Sequence, residues 1–338
     1  MSLEVVLGGV GVAGVLAYAL LGGADFGGGV WDALASGPRK AEQRRAIALA
    51  MGPVWEANHV WLIFVIVVMF AGFPPAYAAL SIALFLPFHL VLLGIILRGA
   101  AFVFRAHSPE SARMEGSGML RWGAVFGMAS VITPVLLGMC LGAVSAGGLR
   151  VSGDDVLVQG GPPWLSPVAI AMGMLALALC AGLAAVYLAN ETEGALQEDF
   201  RKRALLAGGL VVALAALLLP LLQAQAPHLL RGLLRVRTLP VLIVGALCAV
   251  VAGIALLRER YRLARAATVG EAACVVAGWA LAQYPFIIYP DVTVMNAAAP
   301  RPTLEFILYT MPIGLALLLP SLWLLFRVFK GEYLRMTD

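Results

Sequence analysis

Residues 5–34 read VVLGGVGVAGVLAYALLGGADFGGGVWDAL, an apolar run interrupted by only two charged residues, Asp25 and Asp32. A helix needs about 20 apolar residues to span a bilayer core of roughly 30 Å. The apolar residues follow one another without the alternation expected in a barrel strand. The run therefore predicts a transmembrane helix that is either tilted or projects beyond the bilayer.

The composition of the whole chain also indicates a membrane protein. Of 338 residues, 62% are hydrophobic and 12% are charged, whereas soluble domains usually carry about 25% charged residues. The net charge is +4, but Lys and Arg are grouped in short stretches between apolar runs, which is typical of membrane topology and not of a nucleic-acid surface. We expect one polytopic membrane domain over residues 1–338, with no soluble module and no nucleic-acid partner.

Hydropathy predicts an all-α fold with about nine transmembrane helices. Each run is long enough to cross the bilayer core as a helix. The predicted runs are Val5–Leu34, Ile47–Phe70, Ala78–Phe104, Leu120–Val144, Leu165–Leu188, Ala204–Leu222, Leu239–Leu257, Ala267–Ile288 and Leu304–Phe329.

The distribution of Lys and Arg predicts the orientation of these helices. The first, third, fifth and seventh connections and the C-terminus hold most of the 23 basic residues. Basic loops face the cytoplasm in most membrane proteins. We therefore expect an outward N-terminus, a cytoplasmic C-terminus and a location in the bacterial cytoplasmic membrane. The trio Arg231, Arg235 and Arg237 departs from the rule, and the headgroup layer and a partner surface both remain open for it.

The four cysteines do not form a recognisable metal or haem motif. Each lies alone in an apolar run, and neither CxxC nor CxxCH occurs. The sequence therefore predicts no disulfide framework, no metal site and no covalently bound cofactor.

Two carboxylates lie deep in predicted helices. Asp25 lies nine residues before the end of the first run, and Glu56 lies nine residues after the start of the second. A short basic loop joins the two helices, so they are expected to be antiparallel, with both acids about 14 Å from the cytoplasmic edge. A charge at such a depth costs roughly 2.5–3.5 kcal/mol on insertion scales. The pair predicts either a proton-holding site or a structural contact that fixes helix packing.

Further polar residues surround this pair. His59 lies three residues after Glu56 and shares its helix face, so we include it in a candidate proton path. His89 lies at a comparable depth in the third run, which leaves a bis-histidine haem site between the two helices as a less favoured alternative. Arg98, near the end of the third run, either extends to the headgroups or pairs with a buried acid.

Four further features have structural interpretations. Asp32 is expected to be interfacial, Arg105 to be a topology anchor, and Glu271 to lie at the N-terminal end of the eighth helix, where an acid is favourable. The glycines around Asp25 are expected to let helices approach closely rather than to bind phosphate.

Four stretches resemble subunit II of the cytochrome bd-type quinol oxidases. They are GGADFGGGVWD at 22–32, GPVWEANHVWLI at 52–63, LLGIILRGAAFVFR at 92–105 and YPFIIYPDVTVMNAAAP at 284–300. The order of these stretches and the spread of apolar runs match over nearly the whole chain.

The resemblance implies a fold of two four-helix bundles plus one extra helix, in a respiratory enzyme that oxidises quinol and reduces dioxygen to water. It implies that haems b and d lie in the larger subunit I, and that this chain supports that subunit and contributes to a proton route from the cytoplasm. Some members of the family hold a structural quinone in this subunit, so the resemblance leaves that site open here. Further expected partners are a small single-helix subunit and membrane lipid.

Carried over to this sequence, the resemblance places Asp25 and Glu56 at the family's intramembrane acids and Arg98 at a basic position of unassigned role. Some relatives have a further acid where this chain has Leu21, which leaves the inner part of the route less defined. Two alternatives stay open from the residues: a secondary transporter, although no inverted repeat is visible, and a purely structural scaffold.

Overall fold

The computed structural model describes residues 2–51, 55–106, 117–153 and 155–335 of a largely helical chain. The helices of its first half are α1 (Leu3–Ala33), α2 (Lys40–Met51), α3 (Trp55–Asn58), α4 (Val60–Gly72), α5 (Pro74–Ala83), α6 (Phe85–Ala106) and α7 (Ser117–Ser145). Those of its second half are α8 (Pro167–Glu191), α9 (Gly194–Gln225), α10 (Pro227–Leu233), α11 (Leu239–Leu257), α12 (Tyr261–Gln283) and α13 (Arg301–Arg335).

Two short antiparallel hairpins complete the described part. Strands β1 (Leu149–Ser152) and β2 (Asp155–Val158) pair after α7, and strands β3 (Phe286–Ile288) and β4 (Val292–Thr293) pair between α12 and α13. A 3₁₀ turn at Pro163–Leu165 precedes α8.

Length and hydropathy confirm an all-α membrane fold. Within the described ranges, 8 helices are long and apolar enough to cross a bilayer, and the number becomes 9 if the bent pair α4 and α5 counts as one span. These two helices meet at an angle of 118°. The division into two four-helix bundles and an extra helix stays a prediction.

Four predicted runs differ most from the helices that form, and one of them, Ala204–Leu222, covers only part of α9, which begins ten residues earlier at Gly194. The run Ile47–Phe70 is divided among α2, α3 and α4, and Ala78–Phe104 crosses a break at Leu84 between α5 and α6. The run Ala267–Ile288 is wrong at both ends, because α12 begins six residues earlier and ends at Gln283. The backbone then enters Tyr284–Pro285, where proline cannot continue the helix.

Helix α8 lies at the centre of the packing. It contacts α1, α7, α9 and α12, and its buried face is made largely of small residues. A Cβ atom at Gly27 of α1 would overlap the carbonyl oxygen of Cys180 in α8, and one at Gly173 of α8 would meet the carbonyl oxygen of Val135 in α7 at 2.6 Å. The predicted packing role of the glycines near Asp25 is therefore confirmed. All four cysteines are free, as expected.

The end of the molecule that carries Arg39, Arg44, Arg105 and Arg203 is named here the basic end. It contains the C-terminal ends of α1, α6 and α8 and the N-terminal ends of α9 and α12.

The opposite end is fixed by contacts between the two hairpins. Arg150 of β1 donates to both carboxylate oxygens of Asp291, at 2.8 and 3.1 Å, and the backbone N–H of Val151 donates to the same carboxylate at 2.9 Å. The guanidinium group of Arg150 holds the pKa of Asp291 below its usual value.

The arginine trio that departs from the charge rule lies at this same end. Arg237 donates to the backbone carbonyls of Leu281 and Tyr284, at 3.2 and 3.1 Å, and its guanidinium lies over the Tyr284 ring. Cations stabilise the C-terminal end of a helix because its last carbonyls are unpaired. Arg237 therefore caps α12, which is neither of the two roles left open for the arginine trio.

Candidate functional site

Asp25 is buried eight residues before the C-terminal end of α1, where it meets the short helix α3. The amide Nδ2 of Asn58 donates to Asp25 Oδ2 at 2.6 Å and also lies 3.5 Å from the carbonyl oxygen of Leu21. Both Asp25 and Asn58 are buried. The buried carboxylate that the sequence singled out is thus held by a hydrogen bond from the neighbouring segment.

Arg98 of α6 is a buried cation whose charge acts on this carboxylate without a direct ion pair between the two. It is 1% exposed, and its Nε donates to Ser130 Oγ at 3.2 Å. Its guanidinium lies over the rings of Phe26 and Phe126, at 4.8 and 5.4 Å from their centres. Arg98 and Asp25 attract each other electrostatically. The burial of Arg98 argues against extension to the headgroups, and its pairing with a buried acid stays a prediction.

Glu56 and His59 were predicted to share the face that meets Asp25. The backbone of Glu56 belongs to α3, but its side chain lies outside the described part of the structure, so its proximity to Asp25 stays a prediction. His59 packs against the rings of Tyr18 and Phe26, at centre distances of 5.9 and 6.0 Å. His59 is therefore next to the α1 segment that carries Asp25.

The positions of the histidines do not support a haem held between α4 and α6. His89 lies on the exposed surface of α6, where its Nδ1 is 2.7 Å from the carbonyl oxygen of Phe85 in the preceding turn. His59 instead packs inward against α1. Among the residues that are described, no group of three or more His, Cys, Asp or Glu could hold a metal ion.

A second acid–base pair lies between the Asp25 level and the basic end. Arg105 donates from Nη1 and Nη2 to the two carboxylate oxygens of Asp32, both at 3.0 Å, and Asp32 is 2% exposed. Nε of Arg44 lies 3.9 Å from Asp32 Oδ2 and donates to the Asp32 carbonyl at 3.2 Å. Asp32 and Arg105 therefore form a direct pair that the sequence did not indicate, while their positions relative to the membrane surface stay predictions.

A third pair ties the same end together around α9. Arg39 donates to both oxygens of Asp199, at 2.5 and 2.8 Å, and Gln43 Nε2 donates to Asp199 Oδ2 at 3.0 Å. Arg203 in turn donates to Gln43 Oε1 at 2.7 Å. This network fixes the segment before α2 to α9.

Glu271 also differs from its expected position. It is the eleventh residue of α12 rather than a residue of its first turn, and it is 8% exposed. The start of α12 was misjudged because the helix begins in a basic, polar stretch that hydropathy does not include. Asn58, Ser130 and Glu271 are therefore the buried polar residues that sequence reasoning missed as site candidates.

Comparison with known proteins identifies the family. Residues 3–329 match the sequence model of the family described as cytochrome bd terminal oxidase subunit II. The chain belongs to that family.

Two relatives from Bacillus subtilis strain 168 show how far the similarity extends. The chain is 24% identical to a putative cytochrome bd menaquinol oxidase subunit II, over 96% of this chain and 95% of the relative. It is 27% identical to a cytochrome bd ubiquinol oxidase subunit 2, over 90% and 87% of the two chains.

A solved structure shows the same fold. A chain of the bd oxidase from Geobacillus thermodenitrificans superposes with a TM-score of 0.81 at 22% identity, covering 97% of this chain and 99% of the other.

As a subunit II, the chain is a multi-pass membrane component of an oxidoreductase. Membership implies a subunit I partner and haem in the complex. It also excludes the secondary-transporter alternative left open by the sequence.

Proposed function

We propose that this subunit II works in a bacterial respiratory oxidase that takes electrons from quinol and reduces dioxygen to water. Support comes from the two relatives, which are named as menaquinol and ubiquinol oxidase subunits. In this proposal haems b and d lie in subunit I and supply the redox chemistry. The positions of His59 and His89 agree with that division of labour.

We place the basic end in the cytoplasm and the N-terminus outside. The clustering of Arg39, Arg44, Arg105 and Arg203 at one end supports this orientation, because basic groups are retained on the cytoplasmic side. The pair of buried Asp32 with Arg105 and the partly exposed pair Asp199–Arg39 also join several helices there, which supports a structural role for this end of the subunit.

The chemical role proposed for this chain is to hold protons at Asp25 on their way from the cytoplasm to subunit I. The observation that carries it is the buried carboxylate between an amide donor and a guanidinium. When it is ionised, Asn58 and Arg98 stabilise the carboxylate, which would otherwise be costly in a medium of low dielectric constant. When it takes up a proton, it becomes a neutral carboxyl that can pass the proton on. Glu56 and His59 extend the proposed site on the neighbouring segment.

Asp25→Asn in the purified two-subunit complex tests this proposal. The amide keeps the shape but cannot take up a proton, so we expect quinol oxidation and proton uptake to fall by at least about tenfold. The haem spectrum should be unchanged. Glu56→Gln is expected to act in the same direction.

A matched control is Asp155→Asn, which removes an exposed acid on the β1–β2 hairpin and should leave both rates unchanged. Normal turnover and normal proton uptake in both Asp25→Asn and Glu56→Gln would exclude the route. Loss of haem together with activity would indicate instead that the acids only support assembly.

A further inference from the structure

We propose that the proton route begins at Asp32 and reaches Asp25 through the hydroxyl of Ser130, with Arg105 positioning the entrance. This inference rests on the proposed function, because it extends the Asp25 site towards the basic end. It adds three residues, Asp32, Ser130 and Arg105, that are not among the predicted site residues.

The helix geometry aligns the two acids. Asp25 and Asp32 are seven residues apart on α1, so they lie within about 20° of each other around the axis and about 10.5 Å apart along it. Arg98 and Arg105 have the same spacing on α6. The two acids of α1 and the two arginines of α6 therefore form two levels beside α7, which packs against both helices. Only Asp32 lies between Asp25 and the basic end of α1 as a titratable side chain.

A glycine, Gly29, occupies the position on α1 between Asp25 and Asp32. Gly29 lies four residues after Asp25 and three before Asp32, on the same face of α1. A Cβ atom at Gly29 would overlap the Ser130 hydroxyl oxygen, so α7 fills this gap with a hydroxyl group. Ser130 is fully buried and accepts the hydrogen bond from Arg98 Nε. A hydroxyl can accept a proton and donate its own, so it can connect the two levels.

The Asp32 level is connected to solvent through its partners. Asp32 itself is buried, but the side chain of Arg105 is 21% exposed, and Arg44 is also partly exposed. Arg105 occupies both carboxylate oxygens, while Arg44 lies 3.9 Å from one of them and offers a second cationic partner. The centre of the Phe126 ring lies 5.4 Å from the guanidinium carbon of Arg98 and 5.2 Å from that of Arg105, so the ring packs against both guanidinium groups.

The transfer proceeds in balanced steps. Arg105 releases one oxygen of Asp32, and that carboxylate takes a proton from cytoplasmic water. Ser130 Oγ is hydrogen-bonded to Arg98 and to neither acid, so a water molecule on each side of the hydroxyl completes the relay. Asp32 passes the proton through water to the Ser130 oxygen as the Ser130 hydroxyl gives its own hydrogen through water to Asp25. The net change is one proton moved from water to Asp25, with no change in redox state.

Asp32→Asn and Ser130→Ala in the complete complex test the inference. We expect proton uptake in each variant to be at least fivefold slower, with the haem spectrum retained. Arg105→Lys, which keeps the charge, should retain more activity than Arg105→Gln. Added acetate, a small soluble proton carrier, should partly restore Asp32→Asn because the entrance is close to solvent.

The matched control is Asp199→Asn. It breaks another arginine pair at the same end of the molecule, off the Asp25 face, and should leave proton uptake unchanged and insensitive to acetate. Equal effects in Asp32→Asn and Asp199→Asn, or no rescue by acetate, would overturn the inference. Slow uptake in Asp25→Asn with normal uptake in Asp32→Asn and Ser130→Ala would overturn it while leaving the proposed function intact. Normal uptake in Asp25→Asn would count against the proposed function itself.

Discussion

The two buried acids of α1 are stabilised in different ways at the level of single residues. Both oxygens of Asp32 accept from Arg105, whereas Asp25 accepts from the amide of Asn58 and is influenced by the more distant charge of Arg98. Removing one member of a buried ion pair leaves the other charge unpaired, which typically costs about 3–5 kcal/mol. Neutral isosteres that keep a hydrogen bond are therefore better probes of proton transfer than alanine substitutions.

A second constraint at the level of residues is the close approach of α1 to α8 at Gly27. Adding one methyl group at this position tests it. Gly27→Ala would place a Cβ atom in overlap with the Cys180 carbonyl oxygen, so α1 and α8 would have to separate. We expect a loss of stability of roughly 1–3 kcal/mol, measured as a lower midpoint of thermal unfolding of the complex. The control is Gly9→Ala in the same helix, where a Cβ atom meets nothing within 4 Å. Equal midpoints for the two variants would contradict this prediction.

The sequence predicted some of these residues and missed others for a physical reason. Asp25 and Arg98 could be found because a charge inside an apolar run is costly and therefore conspicuous. Asn58 and Ser130 are neutral and small, so they barely alter hydropathy, and their importance depends on which helix packs against them. The pairing of Asp32 with Arg105 depends on how α1 and α6 are placed relative to each other, and the hydropathy of a single run gives no information about this.

At the level of elements, hydropathy likewise predicted some helix boundaries correctly and missed others. The predicted run Leu239–Leu257 coincides with α11, and the first run differs from α1 by two residues at its start and one at its end. Ile47–Phe70 was predicted as one helix because hydropathy is continuous across it, but the backbone is divided there. Phe286–Ile288 was included in a helix because a short apolar run does not distinguish a helix from a strand.

The packing of α10 against the β3–β4 hairpin is expected to depend on pH. The His228 ring stacks on Tyr289 with ring centres 3.3 Å apart, and burial lowers the pKa of His228 from 6.5 to about 4. The unfolded chain therefore binds more protons than the folded one between these values, so stability falls as the pH decreases from about 6.5 towards 4.

His228→Gln should flatten this dependence, because glutamine does not titrate. The measurement is the midpoint of thermal unfolding of the complex between pH 7 and pH 5, with His89→Gln, an exposed histidine on α6, as the control. A pH dependence that is unchanged in His228→Gln would show that other groups cause it.

The whole molecule has unequal ends, which follows from the distribution of arginine. The basic end joins α1, α6 and α9 through pairs that involve Asp32 and Asp199, whereas the opposite end is built from the two hairpins and the Arg150–Asp291 pair. The rule that basic loops face the cytoplasm depends on this asymmetry. A count of basic residues in the connections therefore predicts one orientation for the whole set of transmembrane helices.

Thiol labelling in intact cells tests that orientation. Gln159→Cys, after β2, should react with a membrane-impermeant thiol reagent, and Lys40→Cys, at the start of α2, should not until the membrane is opened. Both positions are exposed, and the four native cysteines can be replaced to remove background labelling. Labelling with the opposite preference would reverse the assigned topology.

The depth of Asp25 has an electrical consequence. Asp25 lies eight residues from the end of α1. In the proposed orientation, with that end at the edge of the hydrocarbon layer, a proton bound there would be about 12 Å inside a layer of roughly 30 Å. It has crossed about two fifths of that layer, and its binding free energy should therefore change by about 0.9 kcal/mol for each 100 mV of membrane voltage. In an energised cell the occupancy of this carboxyl group would thus report the voltage as well as the acidity of the cytoplasm.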